Sequence, residues 1–102
     1  MGQYNVAGEL EIVGGTGALK TAQRRSIAPL LSHATNEHPW PDEVSSGRLG
    51  HWSRDRQAIL KVEPTLVVEV SVDNAVDSRR WRHVAKFVRA RPDLTVEETE
   101  VL

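Results

Sequence analysis

Residues 65–72, TLVVEVSV, constrain the fold more than any other stretch of this chain. Leu66, Val68, Val70 and Val72 fall on one side and Val67, Glu69 and Ser71 on the other. That period of two suits a half-buried strand, and the β-branched side chains pack well on a pleated surface. The chain around it has 102 residues, which leaves room for one compact domain spanning residues 1–102. With one Phe, one Tyr and three Trp, its core must be built mainly of Val, Leu, Ile and Ala.

A second alternating segment runs from Glu9 to Val13, with Leu10 and Ile12 on one face and Glu9 and Glu11 on the other. Gly2 to Asn5 reads as its partner strand, turned around Ala7-Gly8. After Thr21, an N-cap candidate, Ile27, Leu30, Leu31 and Ala34 recur at helical spacing. They predict an amphipathic helix of about three turns, which Pro29 divides into two short pieces. Residues 35–56 carry Pro39, Pro41, Gly47 and Gly50 without periodicity and read as a long loop, anchored by Trp40 and Trp52. Its His38 and His51 read as polar loop residues, because no further ligand stands at a metal-binding spacing. A strand in QAILKV, with Leu60 and Val62 on one face, precedes the one already described. Residues 73–78, DNAVDS, supply turn chemistry. A last strand is expected from Trp81 to Arg91, followed by a short acidic helix capped by Thr95. Strands in this number, with one helix and a long loop, indicate a mainly β domain, a small barrel or a β-rich α+β fold.

Between the first strand and the helix stands GGTGALKT, residues 14–21. Gly14, Lys20 and Thr21 keep the spacing of a phosphate-binding loop, but Leu19 replaces the glycine that lets the backbone approach the phosphates. The segment therefore reads as a turn from strand to helix. A nucleotide-hydrolysing enzyme built on it would lack catalytic partners.

Thirteen Lys and Arg against fourteen Asp and Glu give a net charge of −1, so a nucleic-acid surface has to come from charge placement. The absence of cysteine excludes disulfides, thiolate catalysis and Cys-based zinc sites. No apolar run approaches the ~18 residues of a membrane helix, and a cytoplasmic protein without a membrane partner is expected.

Charge placement is uneven. Residues 79–91, RRWRHVAKFVRAR, hold six of the thirteen basic residues and no acidic one. On a continuous strand they would form a ribbon on the order of 40 Å long, with Arg80, Arg82 and Lys86 on one face and Arg79, Arg89 and Arg91 on the other. Arginine forks suit phosphate oxygens, so the ribbon reads as a phosphate contact. The alternatives are a charged edge strand that discourages pairing and a surface for the acidic tail with Glu97, Glu98 and Glu100. Trp81 and Phe87 are candidates for base stacking or for the core.

The order ELEIVGGTGALKTAQRRSIAPLL, HPWP, VEPTLVVEVSVD and RWRHVAKFVRARPDL resembles the C-terminal OB-fold domain of ATP-dependent DNA ligases, especially the actinobacterial kind. The resemblance covers nearly the whole chain. It implies a small Greek-key OB barrel that clamps DNA and, beside a nucleotidyltransferase domain, offers an R-x-D-K motif to ATP phosphates. Arg91-Pro92-Asp93 matches the first three positions of that motif, Leu94 replaces its lysine, and Val84 replaces the usual proline after Arg-His.

By that resemblance Arg91 and Asp93 are the catalytic candidates, and Arg89 and Arg91 are the nucleotide-phosphate contacts. Arg79, Arg80, Arg82 and Lys86 are the DNA contacts. The K-x-D-G adenylation lysine is missing from the chain. The expectation is thus an N-terminally truncated OB module that needs no cofactor of its own. It assists nick sealing in replication, repair and recombination only beside a nucleotidyltransferase domain, in cis or in trans, with ATP and Mg implied for the full ligase. Nicked or duplex DNA is the expected partner. The competing reading is a non-catalytic interaction module whose open barrel edge is closed by a second copy.

Overall fold

The computed structural model describes residues 1–34, 38–49, 55–72, 76–77, 80–81 and 83–99; at 76–77 and 80–81 it describes the backbone alone. The chain starts with a hairpin in which β1 (Gly2–Tyr4) pairs antiparallel with β2 (Leu10–Ile12), Gln3 opposite Glu11. Asn5 organises the turn: its Oδ1 accepts from the N–H groups of Ala7 and Glu9, both at 2.9 Å. Gly8 supplies the positive φ of 80° that such a turn requires. The hairpin expected around Ala7-Gly8 is therefore present.

The next segment, Gly14 to Gly17, docks on the start of the last strand. Gly15 O accepts from Ala85 N at 2.8 Å, Gly17 N donates to Ala85 O at 3.1 Å, and Thr16 and Ala85 form a parallel bridge. GGTG is thus a strand-to-helix link tied to Ala85 through the Gly17 amide and the Gly15 carbonyl. Gly15 is required here by space, since a Cβ at this position would lie 2.9 Å from Leu49 O.

Helix α1 (Thr21–Ile27) follows and gives way to a 3₁₀ turn over Ala28–Leu30. The break comes at Pro29, as its missing N–H demands. The expected N-cap shifts by one residue: Lys20 holds that position, with its N–H bonded to Gln23 Oε1 at 2.9 Å, and Thr21 is the first helical residue. The chain after the helix pairs antiparallel with the approach to β5, through Ala34 N to Lys61 O at 3.1 Å and Glu63 N to Ser32 O at 2.8 Å.

The stretch expected as a long loop contains structure. β3 (Glu43–Ser45) pairs with β4 (Arg56–Ala58), and a 3₁₀ turn spans Ser46–Leu49. Trp40 anchors it, donating from Nε1 to Leu10 O at 2.9 Å, and Lys61 Nζ reaches Trp40 O at 3.2 Å and Asp42 Oδ1 at 2.6 Å. His51 and Trp52 lie outside the described residues. β4 ends at Ala58, earlier than QAILKV suggested, and leaves Leu60 exposed.

β5 (Val68–Ser71) forms the core of the predicted strand and pairs antiparallel with β8 (Lys86–Ala90). Between them β6 (Val76–Asp77) and β7 (Arg80–Trp81) make a short hairpin. The single strand expected over 81–91 is therefore two elements among the described residues, β7 and β8, with a bend at His83 that interrupts the expected ribbon of about 40 Å. Turn chemistry in 73–78 falls largely outside the described residues. A 3₁₀ turn over Val96–Glu98 follows, preceded by Thr95, whose N–H and hydroxyl both donate to Glu98 Oε1.

Among the described residues the buried apolar ones are Ile12 of β2 and Val13 just after it, Val44 of β3, Ala85, and Phe87 of β8. Phe87 thus belongs to the core. The described strands form four antiparallel pairs in a mainly β domain with one α-helix, and among the described residues these pairs do not join into one closed sheet. A cleft of about 480 Å³ opens between the pairs, lined by apolar side chains that include Leu10, Ile12, Leu31, Leu66, Val68 and Val70.

Candidate phosphate-contact site

The β5–β8 pair positions the charged residues. Glu69 stands opposite Arg89, and Val70 opposite Phe87, so Val88 is an extra residue in β8. This bulge breaks the alternation: Ala85 and Phe87 face inward, Lys86 and Val88 outward, and Arg89 outward again. A bulge re-aims the side chain that follows it, and here it sets Arg89 beside Glu69 on the solvent face.

Four side chains meet there. Arg89 Nε donates to Glu69 Oε1 at 3.0 Å, and Arg91 NH1 donates to the same oxygen at 3.1 Å. Arg91 also grips Asp93 with two parallel bonds, Nε to Oδ1 at 3.0 Å and NH2 to Oδ2 at 2.9 Å. The backbone supports the arrangement: Arg91 N donates to Val67 O at 2.8 Å, and Leu94 N turns back to Arg91 O at 3.1 Å. Arg91 is half-buried, whereas Arg89 is 63% exposed at its side chain.

Glu69, Arg91 and Asp93 are each held in the charged form. Hydrogen bonding to Arg91 keeps the Asp93 carboxyl below its ordinary value. The bond from Arg89 chiefly lowers Glu69; desolvation opposes it, and the bond from Arg91 adds to the lowering. Arg91 is driven upward, first by Asp93 and then by Glu69. Two positive and two negative groups sum to zero, so the cluster presents ordered N–H donors without a strong long-range field. Both carboxylates are committed to guanidinium groups, and the constellation fits an anion such as a phosphate and does not fit Mg²⁺. Among the described residues no three His, Asp or Glu side chains gather as a metal site.

Of the residues expected from the sequence, Arg89, Arg91 and Asp93 come together. Lys86 lies on the same strand, exposed and without an ion-pair partner among the described residues, beyond the bulge from Arg89. Arg79 and Arg82 lie outside the described residues, and Arg80 is described only as backbone of β7. Glu69 is the member that sequence reasoning missed, having been read as an ordinary strand-face carboxylate. Its signal was a lone acid on the outer face of the clearest strand, with a strand rich in basic residues and free of acidic ones available to pair with it. The acidic tail is not the partner of these arginines among the described residues: Glu69 and Asp93 are, and Glu98 bonds to Thr95.

The described architecture and site define a small β domain carrying a cross-strand arginine–carboxylate cluster at the end of its longest strand pair. Residues 1–94 match the family model described as ATP dependent DNA ligase C terminal region, and the chain belongs to that family. It is similar to DNA ligase C1 of Mycolicibacterium smegmatis, with 33% identity over 98 residues covering 91% of this chain and 27% of that protein. It is likewise similar to DNA ligase C of Mycobacterium tuberculosis, with 32% identity over 106 residues covering 91% of this chain and 29% of that protein. The chain thus spans less than a third of the length of these relatives. No solved structure matches it significantly.

Proposed function

We propose that this chain is a DNA-contacting accessory module of an ATP-dependent ligase, folded as an OB-type barrel over residues 1–102, and that it promotes nick sealing only together with a nucleotidyltransferase domain. The observation that carries the reading is the pairing of Arg89 and Arg91 on one carboxylate, within a chain of this ligase family. Arg91 and Asp93 stand where the family motif meets nucleotide phosphate, and ATP and Mg²⁺ belong to the complete ligase. Lys86, with Arg79, Arg80 and Arg82 of the neighbouring segment, supplies contacts to the DNA backbone.

The mechanism is electrostatic and positional. Arg89 uses only Nε on Glu69, which leaves its terminal amino groups for a phosphate, and guanidinium forks favour paired phosphate oxygens. Lys86 adds a point charge roughly 7 Å away along the strand pair, since the bulge sets it opposite Ser71 and Arg89 opposite Glu69. A neutral cluster does not draw DNA from afar, so affinity comes from contacts made at close range.

Binding of a nicked duplex by the wild-type chain and by Lys86→Ala, Arg89→Ala and Arg91→Ala, each across a salt series, tests the proposal. Each lost phosphate contact should flatten the slope of log K against log salt by about 0.9. Unchanged affinity and slope in all three would refute it.

The apolar cleft favours a second reading, in which the module associates with another copy or another protein. Sedimentation velocity across a concentration series distinguishes the two: a DNA-indifferent dimer supports the second reading, and a monomer that binds DNA supports the first.

A further inference from the structure

We propose that Glu69 is a positioning residue for phosphate binding: it draws Arg89 and Arg91 onto a single carboxylate oxygen and so presents their remaining N–H groups as one anion seat. The inference deepens the phosphate-contact reading and rests on it. Two guanidinium groups repel at close range, yet Glu69 Oε1 receives both, at 3.0 and 3.1 Å. Arg91 has a second tether in Asp93, whereas among the described residues Arg89 has no other side-chain partner and is 63% exposed. Without Glu69, Arg89 is left on a flexible stem.

The geometry divides the donors cleanly. Arg91 spends three of its five N–H donors on the two carboxylates, one through each of Nε, NH1 and NH2, and Arg89 spends one. The uncommitted donors of the two residues are brought together by the oxygen they share. The bulge at Val88 sets Glu69 opposite Arg89, so the seat is built by strand register and by no local motif.

Position and charge make opposite forecasts for loss of Glu69. Removing a negative charge ~6 Å from a bound phosphate should tighten binding about threefold in water. Releasing Arg89 to its free rotamers should weaken binding roughly tenfold or more. If Glu69 positions the arginines, the second effect wins.

The test is titration of the full chain with inorganic pyrophosphate at fixed ionic strength, read by calorimetry and by the Nε–H resonances of Arg89 and Arg91. Glu69→Ala should bind at least about threefold more weakly than wild type although it is one charge more positive. Glu69→Asp keeps the charge but withdraws the carboxylate by one methylene and should lose about twofold, so it carries the test even if the alanine variant folds poorly. In both variants the Arg89 Nε–H resonance should exchange faster. Equal or tighter binding by Glu69→Asp overturns the inference. If Arg89→Ala and Arg91→Ala also leave pyrophosphate binding unchanged, or if the wild-type chain binds none, the phosphate-contact reading fails with it. If those two weaken binding while the Glu69 variants do not, only the positioning role is lost.

Discussion

Substituting Gly15 by alanine tests how the glycine-rich link holds the basic strand in place. A Cβ at Gly15 would sit 2.9 Å from Leu49 O and 3.3 Å from Leu49 Cβ. The first neighbour is a backbone atom and cannot escape by changing rotamer. Gly15 O also accepts the Ala85 N–H at 2.8 Å, so any shift passes directly to the residue before β8, two positions from buried Phe87. Overpacking of this kind costs about 2 kcal/mol. For a chain of this size that lowers the melting temperature by about 8–16 °C. Gly17→Ala is the matched control, since a Cβ there meets nothing within 4 Å and the backbone does not have a left-handed φ. It should melt at or slightly above the wild-type temperature, because alanine reduces the entropy of the unfolded chain. Thermal melts followed by circular dichroism, with exchange of the Ala85 amide as a local probe, decide the matter. Equal stability of the two variants, or a less stable Gly17→Ala, would refute the proposed docking of GGTG on β8.

Further outcomes follow from the same geometry. Trp40→Phe removes the Nε1 bond to Leu10 O and should cost about 1 kcal/mol in urea unfolding, while Lys61 retains its bond to Trp40 O through the backbone. Glu69 and Asp93 have folded-state values below their ordinary ones. Their contribution to stability is therefore complete above the ordinary carboxylate range and is lost as pH falls through the lowered values. Carboxyl carbon NMR should show both titrating below that range, and Arg91→Ala should return Asp93 towards it; an Asp93 curve indifferent to Arg91 would exclude the ion pair.

Where local pattern set the structure, the sequence was readable. The alternation of Glu9–Val13 and the turn residues before it specify the first hairpin, Pro29 divides the helix, and the alternation of TLVVEVSV specifies β5. The cap moved from Thr21 to Lys20 because helix ends depend on side-chain bonds that spacing does not determine. β3 and β4 were hidden since three-residue strands amid Pro and Gly show no period. Glu69 was invisible as a site residue for a different reason: its meeting with Arg89 and Arg91 depends on a pairing across 20 residues and on a bulge at Val88. Register is a property of two strands, and neither sequence alone contains it. Asp93 was legible only through the family motif and Arg91 through the basic run as well, whereas their bidentate pairing required the turn after β8.

No helix among the described residues is long and apolar enough to cross a membrane. The proposed function uses the charged face of β8. Fluorescence anisotropy of a labelled nicked duplex titrated with the wild-type chain at two salt concentrations tests that use most directly. The account predicts saturable binding that weakens steeply at the higher salt, as release of counterions from several phosphate contacts requires. Absence of binding at the lower salt, or binding indifferent to salt, would contradict it.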